Sequence, residues 1–460
     1  MVLSAAIILA AGDGVRMHSS KPKVLHELAG KPFLERVMDA VSRLEPDRLA
    51  VVVHHQADRV AEAARSYDEH VEIVRQDDIP GTGRAVQCAM RQLLADGTLD
   101  GPVLVTAADM PLLDTETLRS LLEFHEHSGN GATVLTTTLD DPTGYGRIIR
   151  DGKGGVLRIV EQKDANSSEL SVREVNTSVY VFDAKILAGA VSQLDSDNAQ
   201  GEFYLTDALE SAREVGPVGA FAAPDPLSVE GVNDRIQLAA LAGQHNRRVC
   251  EDWMRRGVTI LDAATTWIGD DVELAPDVTV LPGCFLQGHT VVGEQAVVGP
   301  YTTLIDAAID EGAHVERARV ELTHIGRDAQ IGPWTYLRPG NDLGEGTKAG
   351  AYVEMKKSHI GKGTKVPHLS YVGDTVLGEH TNIGGGTITA NYDGVHKNRT
   401  LIGSHVHVGA GNLFVAPVEV GDNVTTGAGS VVRHDTPDDA MVYSENSQHI
   451  VKGWKPAWER

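Results

Sequence analysis

The chain has 460 residues, 42% of them hydrophobic, and 64 acidic against 41 basic side chains give a formal net charge of −23 at pH 7. Such a length exceeds one ordinary core and implies at least two domains, and the apolar content excludes a disordered chain. So acidic a surface repels duplex DNA and anionic lipid, which excludes a broad nucleic-acid or membrane-binding face and leaves any anionic ligand to a few local cations and backbone N–H groups.

Cys88, Cys250 and Cys284 have neither metal-ligand spacing nor an even count, which suits a reducing compartment. No segment reaches the roughly 20 apolar residues needed to span a bilayer. The opening "MVLSAAIILAAG" lacks a basic start and runs into a glycine turn, so it reads as a strand rather than a signal peptide. A cytoplasmic protein is expected.

In chain order, the strand "SAAIILA" ends at Gly12 and Gly14. Any tight turn would explain the glycines alone. They also let backbone N–H groups approach a phosphate chain, and Arg16 and Lys23 bring two cations to the same rim. "PFLERVMDAVSRL" places Phe33, Leu34, Val37, Met38, Val41 and Leu44 on one helical face. "LAVVVHH" is a second strand, "GRAVQCAMRQLL" a helix entered through the loop "PGTG", and "GPVLVTAAD" another buried strand. Asp114 caps the helix "TETLRSLLEFHEH". This alternation predicts an α/β domain, Rossmann-like, with a mostly parallel sheet and its ligands beyond the carboxyl ends of the strands. The glycine turn and Asp109 both fall there, Asp109 as either a cap or a metal ligand.

From Asp234 to Arg256 the chain is rich in helix formers and free of proline, which predicts a connecting helix of about 30 Å, modestly weakened by Gly243. The rhythm then becomes six. Ile268, Leu274, Val280, Leu286, Val292, Val298 and Leu304 recur at that interval, each followed four places on by a small or β-branched residue: Val272, Val278, Cys284, Thr290, Ala296, Thr302 and Ala308. The frame restarts at Ile325 and runs through Met355, slips at Ile360, and has a last run from Ile402 to Val420. Neither an α-helix nor a flat sheet has this period; it predicts a parallel β-helix of hexapeptide repeats. Expected domains are 1–235, a helical linker at 236–256, and 257–460. "TANYDGVHKNR" breaks the rhythm and reads as a projecting loop.

The ordered motifs "LAAGDGVRM…KPKVLHELAGKP", "PGTGRA", "PTGYGRI", "VEQKDA", "EGVNDR" and "LRPG…VEMKKS…HLSYVGD…NIGGGTITANYDG" span nearly the whole chain. In them the chain resembles the family of bifunctional N-acetylglucosamine-1-phosphate uridylyltransferases / glucosamine-1-phosphate N-acetyltransferases. The resemblance implies a left-handed β-helix, a homotrimer, UTP, glucosamine 1-phosphate, N-acetylglucosamine 1-phosphate and acetyl-CoA as substrates, and cell-wall precursor synthesis. It assigns Leu9, Ala10, Ala11, Gly12 and Lys23 to the nucleotide, Gln76, Gly81 and Thr82 to uracil, and Gly144, Glu161 and Asn176 to the acetylated sugar. Asp109 and Asn233 would hold Mg²⁺, with Arg16 and Lys23 neutralising phosphate charge during transfer. In the second half Arg338, Lys356, Tyr371, Asn382 and Lys397 match the sugar-phosphate site, and Gly385, Asn391, Tyr392, Ala410 and Ala428 the acetyl-CoA site. A lone histidine in a coil is commonly structural. His368 stands among those positions and is the candidate general base, since an ordinary imidazole pKa of about 6.5 lets it take a proton near neutral pH. Four departures stand out: Val15 for a usual threonine, Ala107 for an aromatic, Ala410 for a serine, and Glu445 for an arginine that meets CoA phosphate. An acidic residue cannot meet a phosphate, so either Lys452 or Lys455 replaces that arginine or CoA binds more weakly.

Overall fold

The apolar runs of the first half become the strands of one mixed sheet, and the hexads of the second half become stacked rungs. The computed structural model describes residues 3–95, 97–152, 154–445 and 448–459. The chain parts between Gly243 and Gln244 into two compact units.

In the first unit β1 (Ala5–Leu9), β2 (Leu49–Val53), β3 (Glu72–Arg75), β4 (Pro102–Ala107), β5 (Ala132–Thr138), β6 (Arg147–Arg150), β7 (Val156–Val160), β8 (Glu174–Asp183) and β9 (Val218–Ala222) share a sheet, with β9-β5-β8-β4-β1-β2-β3 as its main path. β1 pairs parallel with β2 and β4 and is buried on both faces, which is why it reads as an unbroken apolar run rather than an alternation. β8 runs antiparallel between β4 and β5, and β6 and β7 extend it as an antiparallel pair. Leu9 lies opposite Ala107, so the glycine turn and Asp109 leave the sheet at one edge.

The helices follow the sequence pattern. α1 (Phe33–Ser42) buries Phe33, Leu34, Val37, Met38 and Val41. α2 (Ala57–Tyr67) and α3 (Thr82–Ala95) follow. α4 (Thr115–Ser128) starts where the Asp114 carboxylate accepts the Thr117 N–H and stops at Gly129, φ 60°. α5 (Ala184–Ser192), α6 (Asp207–Val215) and α7 (Arg235–Arg255) complete the set used below. Leu241 of α7 packs with Leu28, Phe33 and Val232, and Cys250 of its last turns enters the second unit's core.

That second unit is a left-handed parallel β-helix whose rungs form three parallel stacks of seven, ten and nine strands among the described residues. Its core is the predicted aliphatic ladder, from Ile268 through Phe414 to Val420. One assignment is corrected: Ala307 is buried and Ala308 faces outward. The corner after Leu304 sheds a residue, so the inward phase moves to Ile309 and continues through Val315 and Val320 to Ile325. Because side chains alternate along a strand, a one-residue slip exchanges inside for outside. Residues 391–399 leave the coil between the rungs Ile388–Ala390 and Thr400–Ile402, as the broken rhythm predicts. Among the described residues no helix is long and apolar enough to cross a membrane.

Candidate active sites

At the edge where β1 and β4 end lies a cavity of about 560 Å³. Leu9, Ala10, Ala11, Gly12, Lys23, Gln76, Gly81, Thr82 and Asp109 line it, and so do Ser178, Tyr180, Glu202 and Leu205, which no motif announced. Ala107 lines it too, leaving open the space an aromatic would fill.

Lys23 and Asp109 of this lining join Arg16 and Asn233, which do not line the cavity, in a tight group of cations and oxygens beside it. Lys23 Nζ donates to Asp109 Oδ2 at 2.6 Å and to Asn233 Oδ1 at 2.8 Å, and Arg16 Nη2 donates to the same Asn233 oxygen at 2.9 Å. The glycine turn makes room for this: Gly14 sits at φ +60°, and a Cβ there would lie 2.6 Å from Lys23 Cβ. Val15 points to solvent, away from the group. One carboxylate oxygen and one amide oxygen thus converge on a point already held by an ammonium. That donor set suits a hard cation completed by phosphate oxygens. Among the described residues no cluster of three His, Cys, Asp or Glu side chains offers an all-protein cage.

The base-side loop is clamped from behind. Gly83 N–H donates to the Phe203 carbonyl at 2.8 Å, Phe203 N–H to the Pro80 carbonyl at 3.1 Å, and Leu205 N–H to Thr82 Oγ1 at 3.1 Å. A Cβ on Gly81 would overlap the Phe203 carbonyl, so only glycine permits this approach. Gln76 Nε2 donates to the Ile79 carbonyl at 2.8 Å, which fixes the amide and leaves its Oε1 for a ligand. Thr82 therefore spends a lone pair on structure.

Gly144, Glu161 and Asn176 do not line the cavity; β6, β7 and β8 gather them beside it. Asn176 N–H donates to the Gly146 carbonyl at 2.9 Å, and Gly146 lies against Glu161, where a Cβ would come within 3.3 Å of Oε1. A bulge between Asn176 and Tyr180 puts Ser178 at φ 63°. The Asn176 amide donates to the Tyr180 hydroxyl at 2.7 Å and accepts the Ser178 N–H at 3.0 Å. Burial, then the nearby Asp207 carboxylate, pushes the Glu161 pKa up; burial and acidic neighbours bring Asp207 up to about 6. Burial raises the Tyr145 phenol as well, with Glu230 and Asp109 adding to it, so this loop sits within electrostatic reach of the cation group.

On the β-helix the second set forms two groups. His368 ends a rung of the first stack, and the Gly386 N–H donates to its carbonyl at 3.4 Å. Gly411 N–H donates to the Gly385 carbonyl and Gly429 N–H to the Ala410 carbonyl, each at 2.8 Å. His368, Gly385, Ala410 and Ala428 therefore follow one another up a single corner, an exposed track of small residues above an exposed imidazole. Tyr371 opens the next rung, and its hydroxyl lies over Gly373, in space a Cβ there would share. The other group is cationic. Lys356 Nζ lies 3.5 Å from Asp374 Oδ2, which also accepts from Asn391 Nδ2. Lys356 beside it holds the Lys397 ammonium below the usual lysine value. Arg338 pairs with Glu354 at 3.1 Å, and Tyr392 faces Lys397 across the loop. Asn382 stands apart, bridged by backbone to Lys365 and His407. Glu445, Lys452 and Lys455 are exposed.

Comparison with known proteins accords with this geometry. Residues 6–199 match the family described as MobA-like NTP transferase domain. The chain is 79% identical over 460 residues to the bifunctional protein GlmU of Bifidobacterium adolescentis, covering 100% of both chains. It is 76% identical over 460 residues to that of Bifidobacterium longum subsp. infantis, again over 100% of both. Against that of Kineococcus radiotolerans it is 52% identical over 454 residues, 98% of this chain and 92% of the other. A nucleotidyltransferase sheet, a hexapeptide β-helix and full-length identity at this level together mean that the chain belongs to the GlmU family, the bifunctional uridylyltransferases and acetyltransferases.

Proposed function

We propose that the β-helix acetylates glucosamine 1-phosphate with acetyl-CoA, and that the first unit then transfers UMP from UTP to the resulting N-acetylglucosamine 1-phosphate, releasing pyrophosphate. The observation that carries the second step is the convergence of Lys23, Arg16, Asp109 and Asn233 beside the nucleotide-sized cavity that Lys23 and Asp109 line. The phosphate oxygen of the sugar attacks the α-phosphorus of UTP, and pyrophosphate leaves in line. No side chain need become a nucleophile, because holding the two phosphates together and neutralising their charge supplies the catalysis. Asp109 and Asn233 would hold Mg²⁺, which when bound polarises phosphate oxygens. Lys23 and Arg16, which here hold the oxygens of Asp109 and Asn233, would neutralise the charge of the phosphate chain. Gln76 Oε1 reads the uracil edge.

In the second half His368 takes a proton from the sugar ammonium; the freed amine attacks the thioester carbonyl, and the CoA thiol leaves. Lys356, Lys397 and Arg338 suit the sugar phosphate. The Gly385–Ala410–Ala428 track lies directly above the base and suits the extended CoA arm. In Ala410 it lacks a hydroxyl, so the Asn391 and Tyr392 side carries more of the polar recognition. A homotrimer completes the exposed side of this site. Its support is the corner column Tyr301, Arg317, Trp334, Tyr352 and Leu369, all at positive φ, in which four strongly exposed apolar side chains and an arginine lying over the Trp334 ring run toward His368. The substrates are soluble metabolites and the setting cytoplasmic.

A coupled assay starting from glucosamine 1-phosphate, acetyl-CoA and UTP tests the whole scheme, with other nucleoside triphosphates as the specificity arm. UDP-N-acetylglucosamine should form only with UTP. A His368→Ala variant should lose acetylation while still converting supplied N-acetylglucosamine 1-phosphate. Acetylation at near parental kcat would rule out the base.

A further inference from the structure

Arg147 is 2% exposed, yet no ion pair to it is found among the described residues, and its Nε has no hydrogen-bond partner. The Asp141 carboxylate lies within electrostatic reach of it but forms no ion pair with it, and a buried guanidinium so weakly compensated is costly, so its placement needs a reason. Its backbone occupies the centre of the three antiparallel strands. It pairs with Val160, the residue before Glu161, and with Val175, the residue before Asn176. Its side chain turns to the third member of the sugar group. Nη1 donates to the Tyr145 carbonyl, and Nη2 donates to Gln162 Oε1 at 3.2 Å. That same Gln162 oxygen accepts the Gly144 N–H at 2.5 Å, with Gly144 at φ +90°.

One residue therefore touches the supports of Gly144, Glu161 and Asn176, which lie far apart in sequence. We infer that Arg147, acting through Gln162 and the Tyr145 carbonyl, is the positioning residue that sets the shape of the acetamido-sugar pocket. The inference rests on the uridylyltransferase reading of this site. Arg147 does not reach the reacting phosphates. Its role is to hold the loop 144–146 at the distance from β8 that an acetylated sugar requires. Gln162 relays it by presenting one acceptor oxygen to two donors. Loss of Gln162 frees the Gly144 peptide and loss of Arg147 frees Gln162 and the Tyr145 carbonyl, in either case a binding defect rather than a chemical one.

The test uses the full chain with Arg147→Lys, Gln162→Met and, as a reference for the pocket itself, Asn176→Ala. KM is measured separately for N-acetylglucosamine 1-phosphate and for UTP, with the thermal midpoint of uridylyl transfer as the folding control for this unit. Arg147→Lys and Gln162→Met should each raise the sugar-phosphate KM about 10-fold, the loss of about 1.4 kcal/mol, while the UTP KM moves less than about 2-fold. Their double variant should fall well short of the product of the single effects, since both act on one peptide. An unchanged sugar KM in Gln162→Met, or a parallel rise for UTP, overturns the inference. Should Arg147→Lys fail to fold, Gln162→Met decides alone. Should Asn176→Ala also leave the sugar KM unchanged, the sugar pocket is misplaced; if Asn176→Ala raises it and Gln162→Met does not, only the role of Arg147 falls.

Discussion

The β-helix begins with a strand edge that has no rung beneath it, and one asparagine closes that edge. Asn246 of α7 donates from Nδ2 to the Thr266 carbonyl at 2.8 Å and accepts the Ile268 N–H on Oδ1 at 3.1 Å. The amide copies the donor and acceptor that a neighbouring strand would present. Asn246 is 6% exposed, Thr266 0% and Ile268 3%, so water cannot replace it. Asn246→Ala leaves one buried N–H and one buried carbonyl unpaired, at about 1–3 kcal/mol each. The long contact from Cys250 Sγ to the Thr266 carbonyl, 3.8 Å, recovers little of this. A loss of about 3 kcal/mol from a unit of this size lowers its melting temperature by about 6–12 °C. The assay is thermal inactivation of both activities in one sample. Acetylation should fail at the lower temperature, and uridylyl transfer at the parental one. Equal inactivation of both activities, or an acetylation midpoint within about 1 °C of the parent, would refute the capping argument.

Asp109→Ala should abolish UDP-sugar formation and spare acetylation, and measurable uridylyl transfer at ordinary Mg²⁺ would remove Asp109 from the metal role. On the β-helix surface His324 bonds Asp342 at 2.7 Å and Asp310 at 3.0 Å, and His359 bonds Asp342 at 2.9 Å. Burial opposes charge on His324, but the two carboxylates outweigh it and raise its pKa, while His324 first and His359 second hold Asp342 below its usual value. The contribution to stability is present from about pH 4 to pH 6.5; it is lost as pH rises through the raised imidazole value and as it falls through the depressed carboxylate value. His324→Gln should narrow its deficit against the parent above that window, as read by melts across pH; parallel curves would exclude the ladder. Asp207, up to about 6 through burial and acidic neighbours, contributes only when protonated, so its stabilisation is lost as pH rises from the ordinary aspartate value through 6. Asp207→Asn should therefore melt higher than the parent at pH 7.5, with the gain gone in acid; a lower melting point at pH 7.5 would contradict this.

Local chemistry made much of this protein readable in the chain alone. Helix faces such as Phe33–Val41, the capping Asp114, the glycine turn and the six-residue rhythm each depend on neighbours within a few positions, and each appears where its spacing requires. The ordered motifs named the candidate residues of both sites. Tertiary structure decided what depends on distance and on corner length. A corner that drops one residue leaves no periodic trace of where it does so, and Ala307 therefore took the inward place expected of Ala308. Ser178 and Tyr180 reach the cavity through a bulge, and Phe203 and Leu205 clamp the base-side loop from more than a hundred residues away. Arg147 resembles any strand arginine until β6, β7 and β8 close around it. A side chain's role in such a node comes from groups that only folding brings within hydrogen-bond reach, and no spacing along the chain encodes that proximity.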